Sequence, residues 1–151
     1  MRPGEVHGRE YYFITPEEFD QKVAAGDFLE WAHYGLQRYG TLKSEILPHL
    51  SAGEVVLLEI EVQGVEALHA LLPKSKMTVI YIEAGGWEVV KARALARSPI
   101  DEAELAKRYE RYLAEVEFKQ HADIIIDNSS DDSSVAKDQI VKLIAEIKNN
   151  L

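Results

Sequence analysis

The fold of this chain is most constrained by an alternation of short apolar runs and helical patterns in its second half. Three runs rich in β-branched residues form the apolar part of this alternation, at Val55–Ile60, Met77–Ile82 and Asp123–Ile126. Near-continuous runs of this length are typical of strands that are buried on both faces of a sheet. Four helical patterns separate and follow the runs, at about 63–72, 86–96, 99–119 and 132–149. This order predicts right-handed βαβ units, and therefore an α/β fold with a parallel sheet and flanking helices.

The first part of the chain is aromatic and punctuated by turns, with aromatic runs at 10–14, 28–31 and 34–40. Between the first two runs, Thr15 is a good helix N-cap and Pro16 suits the first helical position. Glu18 completes a capping box with the threonine, and Gly26 is suited to end the helix. We expect a small sheet with one inserted helix in this region.

Charge and composition argue against several classes of function. The 151 residues carry a formal net charge of -9 at pH 7, whereas nucleic acids and anionic membranes require a basic surface. We therefore expect neither as a partner. There is no cysteine, and the five histidines never have the close spacing of a metal pair, so no metal site built by the protein is expected. No apolar stretch is long enough to span a membrane or resembles a signal peptide, which favours a cytoplasmic protein.

Four motifs follow one another in the first half of the chain, and they begin at Arg2 (RPGEVHGREYYF), Phe28 (FLEWA), Tyr39 (YGT) and Leu58 (LEIEVQG). Together they closely resemble guanylate kinase, and the resemblance runs from the first motif to the final helix without large gaps. It implies a single domain built on the core of the P-loop kinases. Within it, a small mixed-sheet subdomain that binds GMP is expected at about 1–42, and a partial core at about 43–151 with a helical lid near 86–110.

The chemistry of the base can be checked against the residue types. Guanine presents two adjacent donors, N1–H and the N2 amino group, beside the acceptor O6, whereas adenine has an acceptor at N1. A carboxylate that accepts both donors selects guanine, because adenine would leave it unpaired. The resemblance assigns this role to Glu30, the contact with O6 to Thr41, and a further base contact to Glu61. The family more often has Asp at the position of Glu61.

The phosphate of GMP requires positive charge and hydroxyl donors. By resemblance these come from Arg2, Tyr11 and Tyr39, and Glu59 matches an acidic residue of the metal–phosphate region. The simpler alternatives are that both tyrosines are half-buried strand aromatics and that Glu30 is a surface charge on a strand edge.

The lid supplies a second match to the family. Arg93, Arg97 and Arg108 stand at the spacing of three lid arginines, which close over the phosphates and neutralise the transferred group. The family's Arg-Gly-Thr turn is replaced by Ser98-Pro99, and a solvated basic helix face is the alternative for the arginines. Asn128 matches a residue near the adenine of ATP.

The loop that holds the phosphates of ATP, Gly-x4-Gly-Lys-Ser/Thr, does not occur in this sequence. Gly35–Thr41 has two glycines at the right separation but lacks the lysine. In kinases of this class the missing first strand lies between the strands that match Val55–Ile60 and Met77–Ile82. A lone chain without it should be poorly stable or recruit a partner strand. Met1 falls inside a family motif, which favours truncation of a longer enzyme over an evolved short protein.

The sequence is compatible with two functions, an enzyme and a non-catalytic binding module. The full-length enzyme is expected to transfer a phosphoryl group from ATP to GMP, with Mg²⁺ bridging the phosphates. The chain as given would keep the GMP site and the lid, and would use ATP only if the loop is supplied by another chain. The alternative is a non-catalytic module that binds GMP or a peptide. A homodimer or a complementing chain is the expected protein partner.

Overall fold

The computed structural model describes residues 4–34 and 37–149. The described residues form six α-helices, α1 Pro16–Ala25, α2 Lys43–Ser51, α3 Val62–Leu71, α4 Trp87–Arg97, α5 Glu102–Phe118 and α6 Ser134–Asn149. They also form four strands, β1 Phe28–Tyr34, β2 Gln37–Leu42, β3 Ile80–Glu83 and β4 Ile124–Asp127. Two compact units can be distinguished, Met1–Leu68 and His69–Leu151.

The first unit is organised by an antiparallel hairpin of β1 and β2. Helix α1 packs against the hairpin through Phe19, whose ring stacks on Phe28 at 4.6 Å and meets Trp31 edge to face at 6.0 Å. The guanidinium of Arg38 on β2 lies 4.4 Å from the centre of the Phe19 ring. These contacts fix α1 to the hairpin through one aromatic cluster.

Helix α1 begins and ends where the sequence predicts. The side chain of Thr15 accepts a hydrogen bond from the backbone N–H of Glu18, and the Glu18 carboxylate accepts one from the N–H of Thr15. Gly26 follows the helix in the left-handed conformation, with a φ of 70°, which glycine adopts without strain. The predicted capping box and glycine stop are confirmed.

The second unit contains a parallel pair of strands, in which Ile80 pairs with Ile124 and Ile82 with Ile126. Just before the first strand, the backbone N–H of Val79 donates to the carboxylate of Asp123 at 2.8 Å. Helix α6 packs on β4. The parallel pairing and the helices α3 to α6 confirm the predicted α/β fold.

Two predicted strands are absent from the part of the chain that the structure describes. Val55–Ile60 pairs with no strand and carries no strand assignment, although its residues alternate in exposure and Leu57 is 67% exposed. An apolar run becomes a strand only when a neighbour satisfies its backbone groups, so the prediction from composition alone was wrong here. The run 10–14 likewise contributes only one bridge, between His7 and Tyr11.

Other element boundaries also differ from the prediction. The run expected at Met77–Ile82 forms a strand only from Ile80, where β4 begins to pair with it. Helix α2 was not predicted, and it contains Pro48 in its interior. None of the described helices combines the length and the apolar character needed to cross a membrane.

Candidate functional site

One face of the hairpin in the first unit gathers three of the residues that the sequence singles out. Glu30 on β1 is the cross-strand partner of Thr41 on β2, and Ala32 is the partner of Tyr39. Alternate residues of a strand, and directly paired residues of neighbouring strands, lie on the same face of a sheet. Glu30, Tyr39 and Thr41 therefore share one face of β1 and β2.

Glu30 is the centre of this face. It is 8% exposed, and among the described residues it is the one buried charged side chain. Its Oε1 accepts a hydrogen bond from the Thr41 hydroxyl at 2.5 Å. A buried carboxylate without donors is costly, and an ionised carboxylate can accept more hydrogen bonds than the one that the threonine supplies. The group is thus held in place and retains capacity for further donors.

Two tyrosines that the resemblance assigns to the phosphate lie against each other. The rings of Tyr11 and Tyr39 meet edge to face with their centres 5.6 Å apart, and Tyr11 also meets Phe13 at 5.8 Å. Tyr11 is 49% exposed and Tyr39 is 38% exposed. Both residues are therefore partly exposed.

Three further residues are predicted for the GMP site, Arg2, Glu59 and Glu61. Arg2 lies outside the described residues. Glu59 is exposed, and no hydrogen bond or ion pair joins it to another residue of the described chain. Glu61 precedes α3, and its carbonyl accepts the backbone N–H of Gly64 at 2.8 Å and that of Val65 at 3.1 Å.

Arg93 in the second unit is engaged by the backbone. Its guanidinium is half-buried and donates to four carbonyl oxygens at 2.5 to 3.3 Å, those of Ala84, Asn128, Ser129 and Ser130. The first of these carbonyls follows β3, and the other three follow β4. Arg93 therefore ties together the segments that leave the two parallel strands.

The other two arginines that were predicted for the lid have different surroundings from Arg93. Arg97, one turn further along α4, is exposed and forms no hydrogen bond or ion pair with any described residue. Arg108 on α5 forms an ion pair with Glu104 at 3.1 Å, four residues earlier on the same helix. Arg111 approaches the same carboxylate at 3.3 Å. The three arginines thus differ in the strength of their existing contacts.

A cavity of about 310 Å³ opens at the carboxyl ends of β3 and β4. Ligands of α/β proteins commonly bind at this end of a parallel sheet. The residues that line it include Tyr81, Glu83, Tyr112, Lys119, Asp127 and Ser129. Lys119 forms an ion pair with Glu83 at 2.6 Å.

No sequence motif pointed to the residues that line this cavity. The alternation of Tyr81 and Glu83 along β3 was a visible signal, but it did not reveal which side chains would face them.

Two titratable groups of the cavity are shifted by their surroundings. Hydrogen bonds from Ser129 lower the pKa of Asp127 below its ordinary value. Burial raises the pKa of Tyr81, and the negative charges of Glu115 and Glu83 raise it further.

Asn128, the residue that the resemblance places near adenine, stands between two residues that line this cavity. Its backbone N–H donates to the carbonyl of Glu83 at 2.8 Å, and its own carbonyl accepts from Arg93 at 2.9 Å. The side-chain Oδ1 is buried and has no hydrogen-bond partner among the described residues. The backbone of Asn128 is therefore fixed, while its side-chain oxygen has capacity for a donor.

Comparison with known proteins gives a consistent result. The protein-family model described as guanylate kinase matches residues 1–144. A guanylate kinase of Hyphomonas neptunium is 36% identical over 143 residues, which cover 95% of this chain and 64% of that protein. A guanylate kinase of Nocardia farcinica is 36% identical over 144 residues, which cover 94% of this chain and 72% of that protein.

Among solved structures, the crystal structure of guanylate kinase from Anaplasma phagocytophilum matches with a TM-score of 0.77 at 23% identity. The match covers 97% of this chain and 69% of that one. It supports the α/β fold described above. The chain spans 64% of the length of the Hyphomonas relative, so about a third of that protein has no counterpart in these 151 residues.

Proposed function

Since the chain belongs to the guanylate kinase family, we propose that its first unit binds GMP and that the complete enzyme phosphorylates GMP with ATP. The observation that carries this proposal is the buried carboxylate of Glu30, held by Thr41 on one face of the hairpin. We assign GMP binding to residues 1–42 together with Glu59 and Glu61, and the lid to residues 86–110.

Recognition of guanine follows from the hydrogen-bonding capacity of Glu30 and Thr41. The single hydroxyl proton of Thr41 is donated to Glu30. Guanine brings two donors of its own, N1–H and the N2 amino group, which satisfy the carboxylate. The hydroxyl of Thr41 is then released and can donate to the O6 acceptor. Adenine offers an acceptor at N1, so it would face the carboxylate without a donor and bind more weakly.

The phosphate of GMP is assigned to the hydroxyls of Tyr11 and Tyr39 and to the charge of Arg2. The support for the tyrosines is that their exposed rings are in contact. Phosphate oxygens are strong acceptors, and two adjacent phenols with one guanidinium supply the donors and the charge that they require. Glu59 and Glu61 complete the proposed GMP site, the former on the side of the metal and phosphates and the latter towards the base.

In the proposed reaction, an oxygen of the GMP phosphate forms a bond to the γ-phosphorus of ATP. The bond from that phosphorus to the bridging oxygen breaks, and ADP leaves with the electron pair. Arg93, Arg97 and Arg108 are the proposed source of positive charge for the transferred group. Arg97 is the best suited of the three, because it has no existing partner among the described residues.

Asn128 is assigned to the adenine of ATP, for which its buried Oδ1 without a partner is the support. Mg²⁺, when bound with ATP, neutralises the phosphate charge and is held mainly by phosphate oxygens and water. The described residues offer no cluster of three acidic, histidine or cysteine side chains for a metal.

The alternative function is a non-catalytic module that binds GMP or a peptide. The 151 residues contain no Gly-x4-Gly-Lys-Ser/Thr sequence. Without such a loop nothing in the chain replaces the lysine and backbone N–H groups that hold the β- and γ-phosphates. We therefore propose that these 151 residues alone bind GMP, and that turnover requires the loop to be supplied.

Isothermal calorimetry of this chain with GMP and AMP tests the proposed binding function. We expect GMP to bind at least about tenfold more tightly than AMP, because a site built for the donors of guanine rejects a base that lacks them. Equal affinities would contradict the assignment of Glu30 and Thr41. A coupled assay with ATP and GMP should give a rate near background, and brisk turnover would contradict our account of the phosphate site.

A further inference from the structure

Helix α3 contains a glycine at its third residue, Gly64, where glycine is a poor choice. Glycine in a helix is about 1 kcal/mol less favourable than alanine, because it leaves the unfolded backbone more freedom to lose. The backbone gives no compensating reason, since Gly64 is not among the glycines with positive φ. The residue is buried, so its neighbours determine whether a side chain fits there.

A side chain at Gly64 would collide with Glu30. An ideal Cβ built there would lie 2.8 Å from Oε2 and 3.2 Å from Cδ of the carboxylate, and 3.3 Å from Cβ of Ile60. Packed carbon and oxygen atoms do not approach to 2.8 Å, so an alanine would require a neighbour to move. The nearest atoms belong to Glu30, and this carboxylate is buried and fixed by Thr41 on its other oxygen.

We propose that Gly64 is a positioning residue for Glu30. The missing side chain lets the first turn of α3 lie directly against Oε2 while Thr41 holds Oε1. The carboxylate is then fixed from both sides in the orientation that accepts N1–H and the N2 amino group of guanine. Its negative charge also lies at the amino-terminal turn of α3, where the helix dipole favours it. This inference rests on the proposed function, and it adds the residue that sets the discrimination between guanine and adenine.

The first test is nucleotide selectivity in a Gly64→Ala variant. We expect GMP to bind about 10- to 100-fold more weakly, because small displacements of a recognition group have effects of this size. AMP affinity should change little, since AMP offers the carboxylate no pair of donors. Glu66→Ala is the control, because Glu66 occupies an exposed position on the same helix and has no assigned role in binding. If Gly64→Ala keeps the GMP preference of the control, the inference is wrong.

A second test asks whether Glu30 is the group through which Gly64 acts. Glu30→Asp is one methylene shorter and leaves room for a Cβ at position 64. The double variant with Gly64→Ala should therefore bind GMP as well as Glu30→Asp alone. A further loss of tenfold or more on adding Gly64→Ala to Glu30→Asp would show that the two residues act independently, and would overturn the proposal.

A third test does not require a nucleotide. With Glu30 present, Gly64→Ala should lower the melting temperature, because the new methyl group meets the carboxylate. In a Glu30→Ala background the same change should raise it, because alanine is the better helix residue. The same sign in both backgrounds would contradict the inference. If the natural chain shows no preference for GMP over AMP, the proposed function fails, while this melting comparison still decides whether Gly64 positions Glu30.

Discussion

In the first unit the candidate ligand-binding charge is buried, whereas in the second unit the candidate charges lie on helix surfaces or hold the backbone. Glu30 is 8% exposed and is held by a threonine and a close glycine. Arg97 is exposed, and Arg108 pairs with a carboxylate of its own helix. In the proposed function, the base is therefore read by a group that its neighbours already hold in place. The proposed contact of Arg97 with the phosphates would instead come from an exposed charge.

Within the second unit, the comparison extends to two arginines of one helix. Arg93 and Arg97 are four residues apart on α4, and the sequence assigns them one shared role. The structure gives the former four carbonyl partners and the latter none among the described residues. Spacing places residues on the same face of a helix, but it does not reveal which of them meets another segment.

The largest expected effect on stability comes from Arg93→Ala. Removing the guanidinium leaves four carbonyls without their donor, and hydrogen bonds to charged groups contribute about 1.5–3 kcal/mol each when well shielded. Because the site is only half-buried, we expect a loss of about 3 kcal/mol in the free energy of unfolding, measured with urea. The control is Arg97→Ala, for which we expect a change within about 0.5 kcal/mol. Equal losses of stability in the two variants would show that the carbonyl contacts of Arg93 do not stabilise the fold.

The next largest effect is expected on GMP binding by the first unit. Thr41→Ala removes the hydroxyl that Glu30 accepts and that we assign to O6 of guanine. Loss of the hydrogen bond to O6 should weaken GMP binding about tenfold, measured by calorimetry. Thr41→Ser keeps the hydroxyl and should restore most of the affinity. If the alanine and serine variants bind GMP equally, the hydroxyl has no part in recognition.

A smaller effect is expected on the stability of the first unit, without a change in its nucleotide preference. Thr15→Ala removes the N-cap of α1 and should lower the free energy of unfolding by about 1 kcal/mol. The ratio of GMP to AMP affinity should stay unchanged, because the capping box lies on α1 rather than on the face that carries Glu30. Thr15→Ser retains the cap and serves as the control. A changed ratio would mean that the binding face is not independent of the helix.

The smallest effect is a pH dependence in the second unit. Hydrogen bonds from Ser129 hold the pKa of Asp127 below its ordinary value of 3.8. A group whose pKa is lower in the folded protein contributes stability above its unfolded pKa, and this contribution is lost as the pH falls through the folded value. Acid unfolding of Asp127→Asn should therefore show a weaker dependence on pH in this range than the natural chain. An identical dependence would mean that these hydrogen bonds do not persist in solution.

Local signals were sufficient for part of the structure. The capping residues Thr15 and Glu18 and the glycine at 26 predicted α1 because a helix end is satisfied by its own neighbours. The motifs likewise predicted Glu30 and Thr41 as site residues, and the hairpin pairs these two residues across its strands. Their assignment to guanine remains a prediction.

Features that depend on contacts between residues far apart in the sequence could not be predicted in this way. Val55–Ile60 has the composition of a strand, but a strand exists only where another segment completes its hydrogen bonds. The four carbonyls that meet Arg93 come from turns more than thirty residues away and from the end of β3. The closeness of Gly64 to Glu30 is equally non-local. Sequence patterns identify residue types, whereas tertiary packing decides which of these residues meet.

The most direct test of the account is the ratio of GMP to AMP affinity in Glu30→Gln, measured by calorimetry beside the natural chain. The amide has the shape of the carboxylate but replaces one acceptor by a donor and removes the charge. We predict that GMP binding falls about 100-fold while AMP binding changes little, so that the preference for guanine is lost. Glu146→Gln, at an exposed position of α6, is the control and should keep the preference. If Glu30→Gln also keeps it, the buried carboxylate does not read the base and the central claim is contradicted.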